Sequence, residues 1–282
     1  MIEIPISGAL HGLLGHKFGS SDLVIVYSAR LDEAGTDGRS PYTVLAGAVA
    51  TAGQWDKLEE RWDALLMRSK VDAFHYKEFN EPAPPFDRWS GFKRKRFIDS
   101  QEKAIEKNTL FRVSIGVENA VHKSIKERMR GIKGFRADSD YALCLRYLMF
   151  HTSDQLARID PDYRLTILVE DGPWAAGAAD TYQRVAAMTG KWKPAKHAHR
   201  LAGFATAPKG ERRSLEAADY IAGTEPDRML SGRRAGQAGV SRLSCLLTGP
   251  LLERWYEGMI KEKEARRAYN ASMKRPASEA LA

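Results

Sequence analysis

The stretch DLVIVYSARLDEAGTDGRSPYTVLAGAVA, residues 22–50, decides the architecture. DLVIVYSARLD is dense in β-branched and apolar residues and reads as a strand, GTDGRS as a turn and PYTVLAGAVA as a second strand. So short a connection implies an antiparallel hairpin. The join raises the functional question, because Asp32 and Glu33 stand together at the end of the strand, just before a glycine-marked turn. Solubility is the bland explanation. A hard divalent cation bound at the strand end is the sharper one.

Further along, GQWDKLEERWDALLMRS places Trp55, Leu58, Trp62, Leu65 and Leu66 at helical spacing. VDAFHYKEFNEPAPPFDRW, with three prolines in its later part, is expected to be a loop. A basic helix over about 91–107, a strand in TLFRVSIGVE, a charged stretch to about Gly134 and a long amphipathic helix from Ser139 follow. YRLTILVEDGP is the next strand. After it come a helix around ADTYQRVAAMTG, a short strand around HRLAGFATA and a helix in SLEAADYIAGTE. A Gly/Arg-rich loop then leads to a final helix with Pro250 in its first turn. Without a repeat or a linker-like break between the strands, the expected fold is a single α/β domain over residues 22–266. Residues 1–21 are expected to form an arm and 267–282 a frayed tail.

The chain has 282 residues, 28% charged and 43% hydrophobic, which excludes neither a large core nor one domain and argues against disorder. Lys+Arg 44 against Asp+Glu 36 leaves a formal charge of +8, concentrated in KRKRF, HKSIKERMRGIKGFR, GKWKPAKHAHR and KGERR. Such runs usually form solvated faces, and here they favour a polyanionic partner. Two cysteines, Cys144 and Cys245, exclude a disulfide framework. The glycine-broken start lacks the pattern of a signal peptide, and no apolar run approaches the roughly 20 residues of a membrane span. The expected compartment is the cytoplasm.

YRLTILVEDGP repeats the opening theme: an apolar strand ends in Glu170 and Asp171 before a glycine. Side chains alternate along a strand, so if Asp32 and Glu170 face a common site, Glu33 and Asp171 face away. In SLEAADYIAG, Glu216 and Asp219 are three residues apart on one helical face, where like charges repel unless a cation or a donor lies between them. Ser214 as an N-cap would put Glu216 in a first turn that welcomes an anion, whereas Asp219 lies among small apolar residues. Acids on three elements suit metal-assisted phosphodiester hydrolysis, with magnesium or manganese held by Asp32, Glu170 and Asp219. His75 in AFHYKEF is a candidate proton shuttle, though a lone loop histidine is ordinarily polar surface. His197 and His199 are weaker. Zinc-type spacing, a dinucleotide fingerprint, a phosphate loop and a GxSxG elbow are all missing from the sequence.

The motifs LDEAGTDGRSPYTVLAGAVATAGQWDKLEERWDALL, AFHYKEF, LTILVEDG and SLEAADYIAGTE, in this order, resemble the bacterial and phage family called domain-of-unknown-function 3800 over about residues 22–230. That resemblance implies a ribonuclease H-like fold, a mixed sheet flanked by helices whose acids bind divalent metal. It points to Asp32, Glu33, His75, Glu170, Asp171 and Asp219, with Glu225 further down the same motif. Ala34 and Glu216 depart from the family, where serine and glutamine are frequent, and the extra charge of Glu216 bears on metal number.

The expected function is therefore a magnesium- or manganese-dependent nuclease acting on DNA or RNA. Asp32, Glu170 and Asp219 would hold the metal, with Glu33, Asp171 and His75 assisting. The alternative is a nucleic-acid-binding or assembly protein that never assembles a metal site. A third reading, two carboxylates cleaving a glycosidic bond, needs no metal.

Overall fold

The computed structural model describes residues 25–36, 40–81, 83–132, 137–188, 196–230 and 241–273. The arm expected at 1–21 lies outside them, as do residues 274–282 of the expected tail.

The opening hairpin forms as read: β1 (Val26–Ala34) pairs antiparallel with β2 (Tyr42–Thr51). Gly35 makes the turn feasible. Its φ is +77°, and a Cβ there would lie 1.9 Å from the Tyr42 carbonyl oxygen, so only glycine fits just past the strand end, two residues after Glu33. Helix α1 (Ala52–Ser69) follows, with the Gln54 Oε1 accepting from the Thr51 N–H at 3.0 Å to tie its first turn. Its buried stripe is Trp55, Leu58, Trp62, Leu65 and Leu66, the set the periodicity predicts, and each such side chain contributes roughly 1.5–3 kcal/mol by leaving water.

Beyond α1 the proline-rich segment is not wholly loop, because Tyr76–Asn80 forms a five-residue helix, α2. A helix this short is not stable by itself. It is held by Phe79, whose ring meets Phe74, Phe86 and Phe97 at centroid distances of 5.8, 5.2 and 6.0 Å. Then come α3 (Gly91–Asn108), β3 (Phe111–Glu118), α4 (Asn119–Met129) in the charged stretch, and α5 (Asp140–Ile159), N-capped by Ser139. The chain continues through β4 (Arg164–Glu170), α6 (Ala175–Ala186), β5 (Leu201–Ala207) and α7 (Arg213–Leu230). β6 (Ser241–Leu247), which the sequence pattern did not announce, precedes α8 (Gly249–Met273). Residues 267–273 of the expected tail are described as part of α8.

The six strands make one mixed sheet in the order β5-β4-β1-β2-β3-β6, in which β2 is antiparallel to both neighbours and the other pairs are parallel. Helices cover both faces of this single α/β domain. Leu31, Leu45, Ile115 and Ile167 point to one face, against α5, α6 and α8. Ala46, Ala48 and Ala50 point to the other, and their small side chains let α7 lie close to the sheet beside α1 and α3. Among the described residues no helix is long and apolar enough to cross a membrane.

Candidate active site

β1 and β4 run parallel with Leu31 opposite Val169, so one further step sets Asp32 beside Glu170. Ala29, Leu31, Ile167 and Val169 are buried on the α5 side, and alternation therefore turns Asp32 and Glu170 to the opposite face. The chain leaves β1 toward β2 on one side and leaves β4 toward β5 on the other. The carboxyl ends of these two strands thus border the point where the connections diverge, which is where open α/β sheets form ligand crevices.

Asp32 is 3% exposed, and its Oδ1 accepts the Glu33 N–H at 2.8 Å. Glu33, on the other face, approaches α5. Burial first, then the charges of Glu33 and Asp32, pushes the Tyr141 phenol well above its ordinary value. Tyr141 stacks on Trp174 at 5.8 Å, so an aromatic pair closes that side. Asp171 is exposed, and its N–H extends the β4–β5 ladder to the Ala207 carbonyl at 2.9 Å.

α7 crosses the Asp32 face obliquely. Near its start the Ser214 hydroxyl donates to Glu59 at 2.6 Å, and Arg30, two residues before Asp32, bonds to both. Ser214 therefore lies inside a helix that begins at Arg213 and ties α7 to α1, instead of serving as the expected N-cap. Toward the other end, Glu225 accepts from Ser114 of β3 at 3.0 Å and from Ser244 of β6 at 3.4 Å. Asp32, Ala46, Ser114 and Ser244 form one row of paired positions across the sheet. Asp219, five residues beyond Ser214, lies about 7–8 Å along the axis from it, between the two anchors.

Donors resolve the expected repulsion between Glu216 and Asp219. The Phe74 N–H donates to Glu216 at 3.0 Å and the Tyr76 N–H to Asp219 at 2.9 Å, which lays residues 74–76 along α7 with half-buried His75 between the two contacts. Glu216, fully buried, also accepts from the Trp62 indole at 2.9 Å and from Arg213 at 2.6 Å. Burial raises its carboxyl pKa despite the pull of these partners. Its charge is thus engaged in holding α1, α7 and the His75 segment together.

Gly223 completes this arrangement. A Cβ there would lie 2.0 Å from the Tyr76 ring, so Gly223→Ala is expected to displace Tyr76 and cost about 1–3 kcal/mol. Thermal melting checks this, and a melting temperature equal to that of the unaltered protein would show that the ring gives way freely.

Among the described residues no three His, Cys, Asp or Glu side chains stand close enough together to hold a metal ion. The backbone brings Asp32, Glu170 and Asp219 to one face without gathering their side chains to ligating distance. His197 is elsewhere, 3.7 Å from Asp154 and edge-on to Tyr163. Sequence reasoning missed Arg30 and Tyr76, whereas Gly223 packs closely, as expected of the small residues around Asp219. Gly223 carried a signal, a glycine in mid-helix, that marks close approach by a neighbour. No family model, no curated protein and no solved structure matches the chain.

Proposed function

We propose that the chain is a magnesium- or manganese-dependent nuclease of ribonuclease H-like architecture, akin to the domain-of-unknown-function 3800 family. One observation supports this most: Asp32 and Glu170 come abreast at the carboxyl ends of two paired parallel strands whose onward connections diverge, under the helix that carries Asp219. The donor set is all oxygen and suits a hard cation, with Asp32, Glu170 and Asp219 as the residues that would hold it. A bound ion would lower the pKa of a coordinated water and stabilise charge on phosphate oxygens. His75, fixed beside Asp219 by the neighbouring amide, is the group to return a proton to the leaving oxygen. Glu33 and Asp171 act at longer range, through charge. Arg30 adds a cation two residues from Asp32 on the same face.

The test is cleavage of end-labelled single- and double-stranded DNA and RNA with each metal. Products that appear with magnesium or manganese and vanish with chelator are expected; folded protein that cuts none of these overturns the proposal. The alternative is a nucleic-acid-binding or assembly protein without catalysis. Calorimetry separates the two, since that protein would bind nucleic acid while taking up neither metal.

A further inference from the structure

We propose that the first two turns of α3, with the residues just before them, form a docking face for single-stranded nucleic acid on which an unpaired base stacks against Phe92. This deepens the nuclease proposal and rests on it for the fate of the bound strand. Phe92 is 71% exposed, and among the described residues it is the one aromatic side chain so exposed. The fold does not require it there. The inward stripe of α3 is Phe97, Gln101, Ala104, Ile105 and Asn108, and Phe92 is turned about 140° from Phe97 around the helix.

Charge complementarity selects the occupant. Residues 88–96 contain Arg88, Lys93, Arg94, Lys95 and Arg96 and no acid. Arg94 is spent inside, 4.1 Å over the Phe79 ring and donating to the Phe86 carbonyl at 3.3 Å, and Lys95 pairs with Asp99 at 2.6 Å. The Arg88 side chain is 94% exposed with its Nε 3.9 Å from Asp87, Lys93 sits 3.8 Å over the Trp89 ring, and the Arg96 guanidinium is 5.7 Å from the centre of Phe92. A base entering beside Phe92 meets a ring and a guanidinium plane, while its phosphates meet Arg88 and Lys93. A duplex offers groove edges and backbone but no free base face, so this surface favours single strands.

α3 packs on the segment that borders the acids: Phe97 of α3 stacks on Phe79 of α2 at 6.0 Å, and α2 begins at Tyr76, whose N–H is bonded to Asp219.

The test uses the full chain in excess chelator, so that binding is measured apart from cleavage. The probes are labelled oligonucleotides of about 16 nucleotides: oligo-dT, oligo-U and a duplex of the same length. Either single strand is expected to bind more tightly than the duplex at equal salt, with the dT and U arms showing whether DNA or RNA is preferred. Phe92→Ala should weaken single-strand binding at least about fivefold and leave the duplex unaffected, while Phe92→Trp should restore it. Arg88→Glu and Arg96→Glu should each lower the salt slope by about one; Lys123→Glu on α4 should match the unaltered protein in single-strand affinity. Phe92→Ala binding like the unaltered protein, equal affinity for the duplex, or Phe92-dependent capture of anionic lipid vesicles in place of oligonucleotides would overturn the proposal. Phe92-dependent binding without cleavage in metal would uphold the docking face and remove the nuclease; cleavage with Phe92-independent binding would do the reverse.

Discussion

Asp32→Asn is expected to lower phosphodiester cleavage about a thousandfold or more while leaving the fold in place. Asparagine has the same shape, and its Oδ1 can keep the 2.8 Å bond from the Glu33 N–H, so the strand end should not move. What disappears is the negative charge that the proposed cation would take from this position. Melting temperature is therefore expected to stay within a few degrees of the unaltered protein, so any loss of activity reports on chemistry and not on folding. A second measurement needs no substrate. A ligand that binds only the folded state at about 100 times its Kd adds roughly 2.7 kcal/mol of stability, so manganese should raise the melting temperature of the unaltered protein by several degrees and that of Asp32→Asn by much less. Equal rises in both would place the metal away from Asp32. Equal cleavage by both would remove Asp32 from the reaction.

Much of the architecture was legible because its signals are local. The β1–β2 hairpin is written as two apolar runs around a glycine turn, and the α1 stripe as tryptophans and leucines at helical spacing. β4 shows the same economy, since alternation along one strand suffices to separate Glu170 from Asp171. β6 was not legible. SRLSCLL follows a Gly/Arg-rich segment and becomes a strand by parallel pairing with β3, about 130 residues earlier, which no local pattern records. α2 escaped for a related reason, since five residues beside prolines become a helix only because Phe79 enters an aromatic cluster.

The candidate site divides the same way. That Asp32, Glu170 and Asp219 share a face follows from alternation and helix placement. The engagement of Glu216 does not, because its partners Trp62 and Phe74 come from distant parts of the chain. From sequence alone Glu216 looked like an added ligand or a first-turn anion; in the fold it is the acceptor that holds the His75 segment against α7. A buried carboxylate with three good donors is a poor metal ligand, since an ion would compete with donors that already satisfy its charge.

Glu102→Gln is expected to cost about 3–5 kcal/mol at neutral pH, a drop of about 10 °C in melting temperature. Arg112 of β3 is 2% exposed, and among the described residues its Nε and Nη1 have no hydrogen-bond acceptor, so the bond from its Nη2 to Glu102 of α3 carries the balance of its charge. Glu102 also accepts from the Tyr220 hydroxyl at 2.6 Å and from Arg228 at 3.3 Å, both on α7, so one carboxylate ties α3, α7 and the sheet together. Burial alone would raise its pKa; the bond and charge of Arg112, helped by Tyr220 and Arg228, bring it down to about 2 from an ordinary 4.5. The direction of the pH effect follows from this depression. The unfolded chain takes up the proton first, so the stabilisation is complete above about 4.5 and is lost as pH falls toward 2. A glutamine at this position does not titrate and carries no such dependence. The gap between the two proteins in urea unfolding should therefore be constant from pH 7 to 5 and narrow by roughly 2–3 kcal/mol on descending toward pH 2, while the other carboxylates, common to both, cancel. A gap that stays constant down to pH 2 would mean that Glu102 contributes by shape and not by charge, and that the charge of Arg112 is balanced elsewhere.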